Sequence, residues 1–345
     1  DRREPRKAML SFRKWLGLPI VAVFAFLLWP SVANTGEKVK RLRLAYAGFG
    51  VGTAVTLVAK EAGLFKRYGL EIEEVYIEDG LTGGVQALIG VDIFLGLGNP
   101  VVPLQAILKG ADIVFLGSHT SMEHYRFGVA PDIVSIRQLK GKKIGVSGLG
   151  RKSDLIARVV LRRSGLNPLN DVEIVDIGFS PERAAALSKN LIQGAPLAPQ
   201  VASQAERLGL KVLDIKGVPV ISELLMTTRS LIKKDNEAVR RFMKGYLTAI
   251  HYYLTHRDES MGIIERNVTI VGRTSIEIMY DAFAAQMEPL PFPNGEAVHA
   301  VIDAVSVADS RAKTLKQADL FDLLFLKELK ASGFVENLYA EKIKL

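Results

Sequence analysis

The 345-residue chain contains no cysteine. That absence removes thiol nucleophiles, cysteine-ligated zinc, structural disulfides and a bacterial lipobox cysteine. Histidine is scarce, limited to His119, His124, His251, His256 and His299. Both close pairs stand five residues apart, so neither presents two rings to one metal on a regular helix, and no metal is expected. No Gly-x-Ser-x-Gly elbow is present, and neither Ser147 nor Ser153 has a base nearby in sequence, so hydrolase chemistry has no positive support. Charge of one sign is not concentrated either. The formal net charge is +8, but the signs are mixed along the chain, without the basic, aromatic-interleaved face of a nucleic-acid binder.

The single long apolar run lies near the start, from Trp15 to Trp29, after Arg13-Lys14 and before Pro30-Ser31-Val32-Ala33. This is the layout of a secretory signal peptide over residues 1–33, with Met9 a sensible start. An uncleaved anchor is the competing reading, although about 15 apolar residues fall short of the roughly 20 that span a bilayer. Removing residues 1–33 takes away six Lys/Arg and two Asp/Glu, so the charge falls from +8 to +4. The expected fate is export from the cytoplasm.

What remains has room for two lobes, each with its own core. Gly141 to Asp154 reads as a buried strand, a glycine-rich turn and the start of a helix at Ser153. Such a turn lets a ligand approach the main chain, and the first N–H groups of the helix point at it, which makes a natural anion seat. A phosphate-binding P-loop fails here by one residue: Gly145 and Gly150 stand five apart, but Arg151 occupies the lysine's place. The dinucleotide fingerprint fails too, because Ser153 stands where its third glycine belongs.

Before this stretch, Arg41 to Ala47 alternates as a strand, enters Gly48-Phe49-Gly50-Val51-Gly52 and continues into a helix from Thr53 to Ala62. Leu70 to Ile77 completes a βαβ unit. A turn at Asp79-Gly80, a helix from Gly83 to Ile89, a strand from Asp92 to Leu95 and the loop Gly96 to Pro100 follow. Ala111 to Leu116 is a strand followed by the loop Gly117 to Ser121. Ligands in open α/β sheets sit at the carboxyl ends of strands, where such loops gather.

After Gly150, Leu155, Ile156, Val159 and Val160 line one helix face, with Arg158, Arg162 and Arg163 toward water or the C-terminal dipole. Ser180 is the expected N-cap and Pro181 the first residue of another helix. Residues 191–199 carry Pro196 and Pro199, which argues for a loop at a strand end rather than a buried strand. Val220 to Thr228 is extended, and helices dominate from Asp235 onward, the last running from an N-cap at Asp319 to Ser332.

The candidate contacts are Gly48, Phe49, Gly50, Thr53, Gly98, Asn99, His119, Gly150, Arg151, Lys152, Ser153, Phe179 and Ser180. Arg151 and Lys152 bring two positive charges beside unpaired helix N–H groups, a combination suited to a sulfonate or carboxylate. Lys152 can equally point to solvent. His119 sits beside Ser118 and Thr120 in a strand-end loop, where an exposed histidine is the plainer reading. Phe49 and Phe179, flanked by glycine or serine, could pack on an apolar ligand tail. No residue set here is catalytic, and no cofactor is required.

The run Leu44-Ala45-Tyr46-Ala47-Gly48-Phe49, then Val58-Ala59-Lys60-Glu61-Ala62-Gly63-Leu64-Phe65, and Leu139 to Val146 resemble the nitrate/sulfonate/taurine type of periplasmic substrate-binding protein, which feeds ABC importers. The resemblance covers residues 40–335. It implies an α/β class, a two-lobed type II periplasmic-binding-protein fold with two Rossmann-like lobes, a central cleft and a C-terminal helical segment. Lobe one would be 41–124 plus 230–337, lobe two 125–229, with a linker at 34–40 and a tail at 338–345. The crossings would fall near Tyr125 to Ala130 and Ser222 to Arg229. The implied function is capture of a small anionic solute by a monomer that delivers it to an inner-membrane permease. Gln193-Gly194-Ala195-Pro196 departs from the alanine-rich strand, begun by Asp, usual in this family. Relatives of this architecture include pyrimidine-precursor synthases and a menaquinone-pathway dehydratase, so an enzyme is the rival, as is a sensory receptor without transport. Enzymes with a cysteine-rich motif are excluded by composition, and a signal peptide argues against a cytoplasmic biosynthetic role.

Overall fold

A computed structural model describes residues 39–46, 50–77, 94–268 and 273–340. The signal-peptide stretch, Gly48, Phe49, the turn at Asp79-Gly80 and the helix expected at 83–89 lie outside the described residues.

In chain order, β1 (Lys40–Tyr46), α1 (Val51–Glu61), β2 (Leu70–Tyr76), β3 (Leu95–Gly98), α2 (Val101–Leu108) and β4 (Ile113–Glu123) form the first part. Then come β5 (Arg126–Val129), β6 (Lys143–Val146), α3 (Lys152–Arg163), β7 (Glu173–Asp176), α4 (Ser180–Ser188), β8 (Gly194–Leu197), α5 (Pro199–Arg207) and β9 (Lys211–Leu213). The chain returns through β10 (Val218–Thr228) and turns helical: α6 (Arg229–Lys234), α7 (Asn236–Thr255), α8 (Arg257–Asn267), α9 (Arg273–Ala284) and α10 (Gly295–Ser306). It closes with α11 (Gln317–Leu320), α12 (Leu324–Ala331) and α13 (Phe334–Ala340). Among the described residues no helix is long and apolar enough to cross a membrane.

Among the described residues ten strands form two sheets, ordered β2-β1-β3-β10-β4 and β7-β6-β8-β5-β9. In the first, β1 runs parallel to β2 and β3, while β10 is antiparallel to β3 and β4. The only strand that pairs with β4 among the described residues is therefore β10. The sequence reading placed 125–229 in the second lobe, yet β10 belongs to the first sheet, so the return crossing falls between Leu213 and Val218.

Three cores follow from the patterning. One face of the first sheet packs on α1 and α7, with Phe65, Phe242 and Tyr246 fully buried between them. The other face shares a continuous core with α10 and with α3 of the second sheet. Arg162 holds Asp303 through two bonds of 2.5 Å, and Arg163 holds Glu296 at 2.6 Å, so two ion pairs join α3 to α10 beside that core. The third core lies between the outer face of the second sheet and α4 and α5.

Four further expectations are corrected. Gly117 to Ser121 is the middle of β4 rather than a loop, because β10 pairs with it along its whole length. Residues 194–197 form a buried strand despite Pro196. Ala130 N donates to Gln193 O, which sets the ladder phase so that Pro196 and Phe127 face each other as a non-bonded pair, and no β5 bond needs the missing N–H. Arg158 does not face water; it is fully buried and ion-paired with Asp154 at 2.8 Å. Asp319 lies inside the one-turn α11 instead of starting a long helix, and its Oδ2 accepts from Lys316 N.

Candidate functional site

A cavity of about 420 Å³ opens where the carboxyl end of β3 and the amino end of α1 meet the amino end of α3. Gly50, Gly98 and Asn99 line it from the first sheet, Lys152 and Leu155 from α3. Val220 to Glu223 contribute from β10, Phe283 from α9 and Gln286 from the turn after it. The location is the one that parallel α/β geometry dictates, outside the carboxyl ends of the strands. Asn99 shapes its own corner, its Oδ1 accepting from Val101 N at 2.9 Å to start α2.

Glu223 is the group that sequence reasoning missed. Its carboxylate accepts Gly52 N at 2.5 Å and also the backbone N–H and hydroxyl of Thr53, so it fills the open amino end of α1. Glycine is required beneath it. A Cβ at Gly52 would stand 2.8 Å from Glu223 Oε2, and one at Gly50 would stand 3.1 Å away. Burial pushes this carboxyl up to about 7, against the lowering effect of its hydrogen bonds to Gly52 and Thr53. The signal was present in the sequence as one acidic residue inside the apolar run Val218 to Met226, since a lone charge there must be either paired or functional.

Directly across the β4–β10 ladder from Glu223 stands His119. It is buried in the strand, and its Nε2 shares a 2.5 Å hydrogen bond with the Tyr246 hydroxyl. Burial lowers the imidazole to about 4, so the ring is neutral at physiological pH. The same burial, reinforced by the charge of Glu223, raises the Tyr246 phenol. His119 is therefore a support beneath the cavity and not part of its lining.

The glycine turn is held from within. Gly148 and Gly150 take positive φ of 126° and 75°, which only glycine adopts without strain. Gly150 N, read in the sequence as a ligand donor, gives its hydrogen to Asp154 Oδ2 at 2.7 Å. Ser153 is buried, and its hydroxyl receives Ser147 N at 2.8 Å. Desolvation raises the Asp154 carboxyl, and Arg158 beside it acts in the opposite direction. The amino end of α1 is thus filled by a carboxylate from β10, and the glycine turn before α3 is braced by a carboxylate from α3 itself.

The remaining expected contacts separate. Lys152 reaches the cavity but is ion-paired with Glu123 at 2.8 Å, and Ser121 Oγ donates to the same carboxylate at 2.8 Å. Arg151 is exposed, folded over Gly148, where a Cβ would stand 3.1 Å from its Cδ. Phe179 is 68% exposed and does not line the cavity. Ser180 is not a cap: its hydroxyl accepts from Arg183 Nη2 and Ala198 N, tying α4 to β8. Among the described residues no group of three His, Asp or Glu could hold a metal.

The model of the "NMT1/THI5 like" family matches residues 52–260, more than half of the chain. A Brucella abortus protein whose name assigns it a binding role is 25% identical over 227 residues, covering 64% of this chain and 70% of that protein. Among solved structures, a periplasmic sulfonate-binding protein from Methylobacillus flagellatus superposes with a TM-score of 0.58 at 20% identity, covering 86% of this chain and 97% of the other. The aliphatic sulphonate-binding protein of Escherichia coli gives 0.52 at 19%, covering 88% and 99%. A desulfurization enzyme shares the fold at 0.50 and 17%, with 85% and 99% covered, so the architecture alone does not separate binding from catalysis. The expected two-lobed architecture agrees with these structures, and on the extent of the family match the chain belongs to the NMT1/THI5-like family.

Proposed function

We propose that the protein is the solute receptor of an ABC importer, taking a small organic molecule into the cavity between its two sheets and presenting it to a membrane permease. The observation that carries this reading is the cavity itself, set where the amino ends of α1 and α3 meet β3 and β10. Lobe one is built on the β2-β1-β3-β10-β4 sheet and lobe two on the other, and the two crossings at 124–125 and 214–217 are the hinge. Gly50, Gly98, Asn99 and Lys152 contact the solute, with Glu223, Leu155, Phe283 and Gln286 added to the set.

Binding without reaction is the better-supported reading of the cavity. Its lining offers one carboxylate, two amides, one lysine, apolar side chains and the Ser222 hydroxyl, which donates to the His119 carbonyl and is not held by a base. The relatives whose names state a role are mostly binding proteins. The protein acts as a monomer in the periplasm, exported by its N-terminal segment.

A thermal-shift panel of organic cations, neutral heterocycles, sulfonates and carboxylates tests this reading. A ligand at 100 times its dissociation constant adds about 2.7 kcal/mol to the folded state, enough for a clear rise in Tm. No shift across the panel, or turnover of a panel member, would sink the receptor reading.

A further inference from the structure

From the charge distribution around the cavity we infer that the solute presents a cationic, hydrogen-bond-donating nitrogen to Glu223, in the manner of an amine, amidine or guanidine, and is not an oxyanion. The inference rests on the receptor reading above and adds the chemical class of the ligand.

The first ground is occupancy. An oxyanion in such a cleft would be held by N–H groups at a helix amino end, and at α1 those of Gly52 and Thr53 already point at Glu223. At α3 the N–H of Gly150 is spent on Asp154, and the hydroxyl of Ser153 is tied to Ser147. The α1 seat has no room for a second negative charge, and the turn that leads into α3 directs its Gly150 N–H and the Ser153 hydroxyl to partners within the chain.

The second ground is the balance of charge on the lining. Lys152 is the one basic residue that lines the cavity among the described residues, and its ammonium is already matched by Glu123. The internal segments 47–49, 78–93 and 269–272 contain no Lys, Arg or His, so they bring no further cation wherever they lie. The buried Arg158 is committed to Asp154. Glu223 faces the same space, has no basic side chain paired with it among the described residues and is 6% exposed. Its carboxylate has four lone-pair sites, and the three donors from Gly52 and Thr53 leave one acceptor position. A donor arriving there supplies the counter-charge that this buried group lacks, and charge-assisted bonds of this kind are the strong ones. Leu155, Val220 and Phe283 offer an apolar wall for the rest of the molecule.

Isothermal titration of the full chain with matched pairs tests the inference: benzylamine and benzamidine against benzenesulfonate and benzoate, with benzamide as the neutral member. The expected result is saturable binding of a cation, with no binding of the two anions. Glu223→Gln keeps the shape and the acceptor for Gly52, and should weaken the cation by roughly 10- to 100-fold, the loss of one charge-assisted bond. Lys152→Ala, which removes the opposing positive charge, should tighten it. A circular-dichroism melt of each variant separates lost binding from lost folding. If benzenesulfonate or benzoate binds and the cations do not, the inference is overturned and the receptor reading stands. Binding of benzamide alone overturns it likewise. Cation binding that Glu223→Gln leaves unchanged also overturns it, because the recognising group is then elsewhere. If nothing binds in this panel or in the wider one, both readings fall together.

Discussion

The two helix amino ends at the cavity, α1 on the first sheet and α3 on the second, each have a carboxylate bound to nearby backbone N–H, yet the two carboxylates differ in kind. Asp154 lies in the first turn of α3, braces the turn before it through Gly150 N, is fully buried, and has Arg158 against it one turn away. It is a self-contained unit whose charge is answered locally. Glu223 reaches α1 from β10, about 170 residues away in sequence, faces open space and is held by N–H and hydroxyl groups alone. The same bonding of a carboxylate to backbone N–H makes a structural brace in one place and a recognition group in the other, and the deciding variable is whether the carboxylate already has a counter-charge.

Removing Asp154 should have the largest effect. Asp154→Ala leaves the Arg158 guanidinium buried without its partner, a change that costs about 3 to 5 kcal/mol. Urea denaturation should show it, and a loss under 1 kcal/mol would erase the contrast with Glu223.

Glu223→Gln should act in the opposite direction at high pH. Because the folded carboxyl sits above its unfolded value of 4.5, its contribution to stability is complete below pH 4.5 and is lost as pH rises through about 7. At pH 8 the variant should therefore be more stable than the parent by about 2 to 3 kcal/mol, with the difference gone near pH 4.5. A constant offset at both pH values would contradict this. His119 titrates the other way, lowered to about 4, so its contribution is present above pH 6.5 and lost as pH falls. Between pH 4.5 and 6.5 the two slopes oppose each other, so the parent's stability should change less with pH than it does once either group is removed. His119→Gln should reveal the Glu223 slope by itself; a variant profile as flat as the parent's would show that the pair does not compensate.

Gly52→Ala is expected to cost about 1 to 3 kcal/mol, because its Cβ would meet Glu223 Oε2, Leu97 Cδ2 and Tyr246 Oη at 2.8, 2.9 and 3.0 Å. Its melting temperature, measured beside Gly50→Ala as a milder control, distinguishes this crowding from a general helix effect. Lys152→Ala should be the smallest, under about 1 kcal/mol, since the Lys152–Glu123 pair is half exposed on the lysine side. A larger drop would mean that Lys152 is a buried cap comparable to Arg158.

The repeat of strand, glycine turn and helix was legible because it is written locally: Gly50 and Gly98 line the cavity, and the Gly148 and Gly150 turn has the positive φ that its glycines allow. What escaped was every feature that depends on a partner far along the chain. His119 reads as a loop residue because the partner that makes 117–121 a strand is β10, about 100 residues later. Pro196 reads as a strand breaker until the phase of its ladder with β5 is known. Glu223 looks like an interruption in an apolar strand, and only the fold brings α1 to it. Arg158 follows the helical period of a solvent-facing residue, but α3 is packed on both sides, against its own sheet and against α10.

The position of β10 also bears on how this chain is made. As the chain emerges from N- to C-terminus, β4 appears with no described strand to pair with, and its partner is not available until residues 126–213 have followed it. The second sheet, whose strands all come from that interval, can assemble during this time, whereas the first can be finished only afterwards. Glu223 arrives on that last strand. Closure of the α1 amino end is thus a late event of folding, and a nascent chain halted before Val218 exposes an unpaired β4 edge that invites association with other chains.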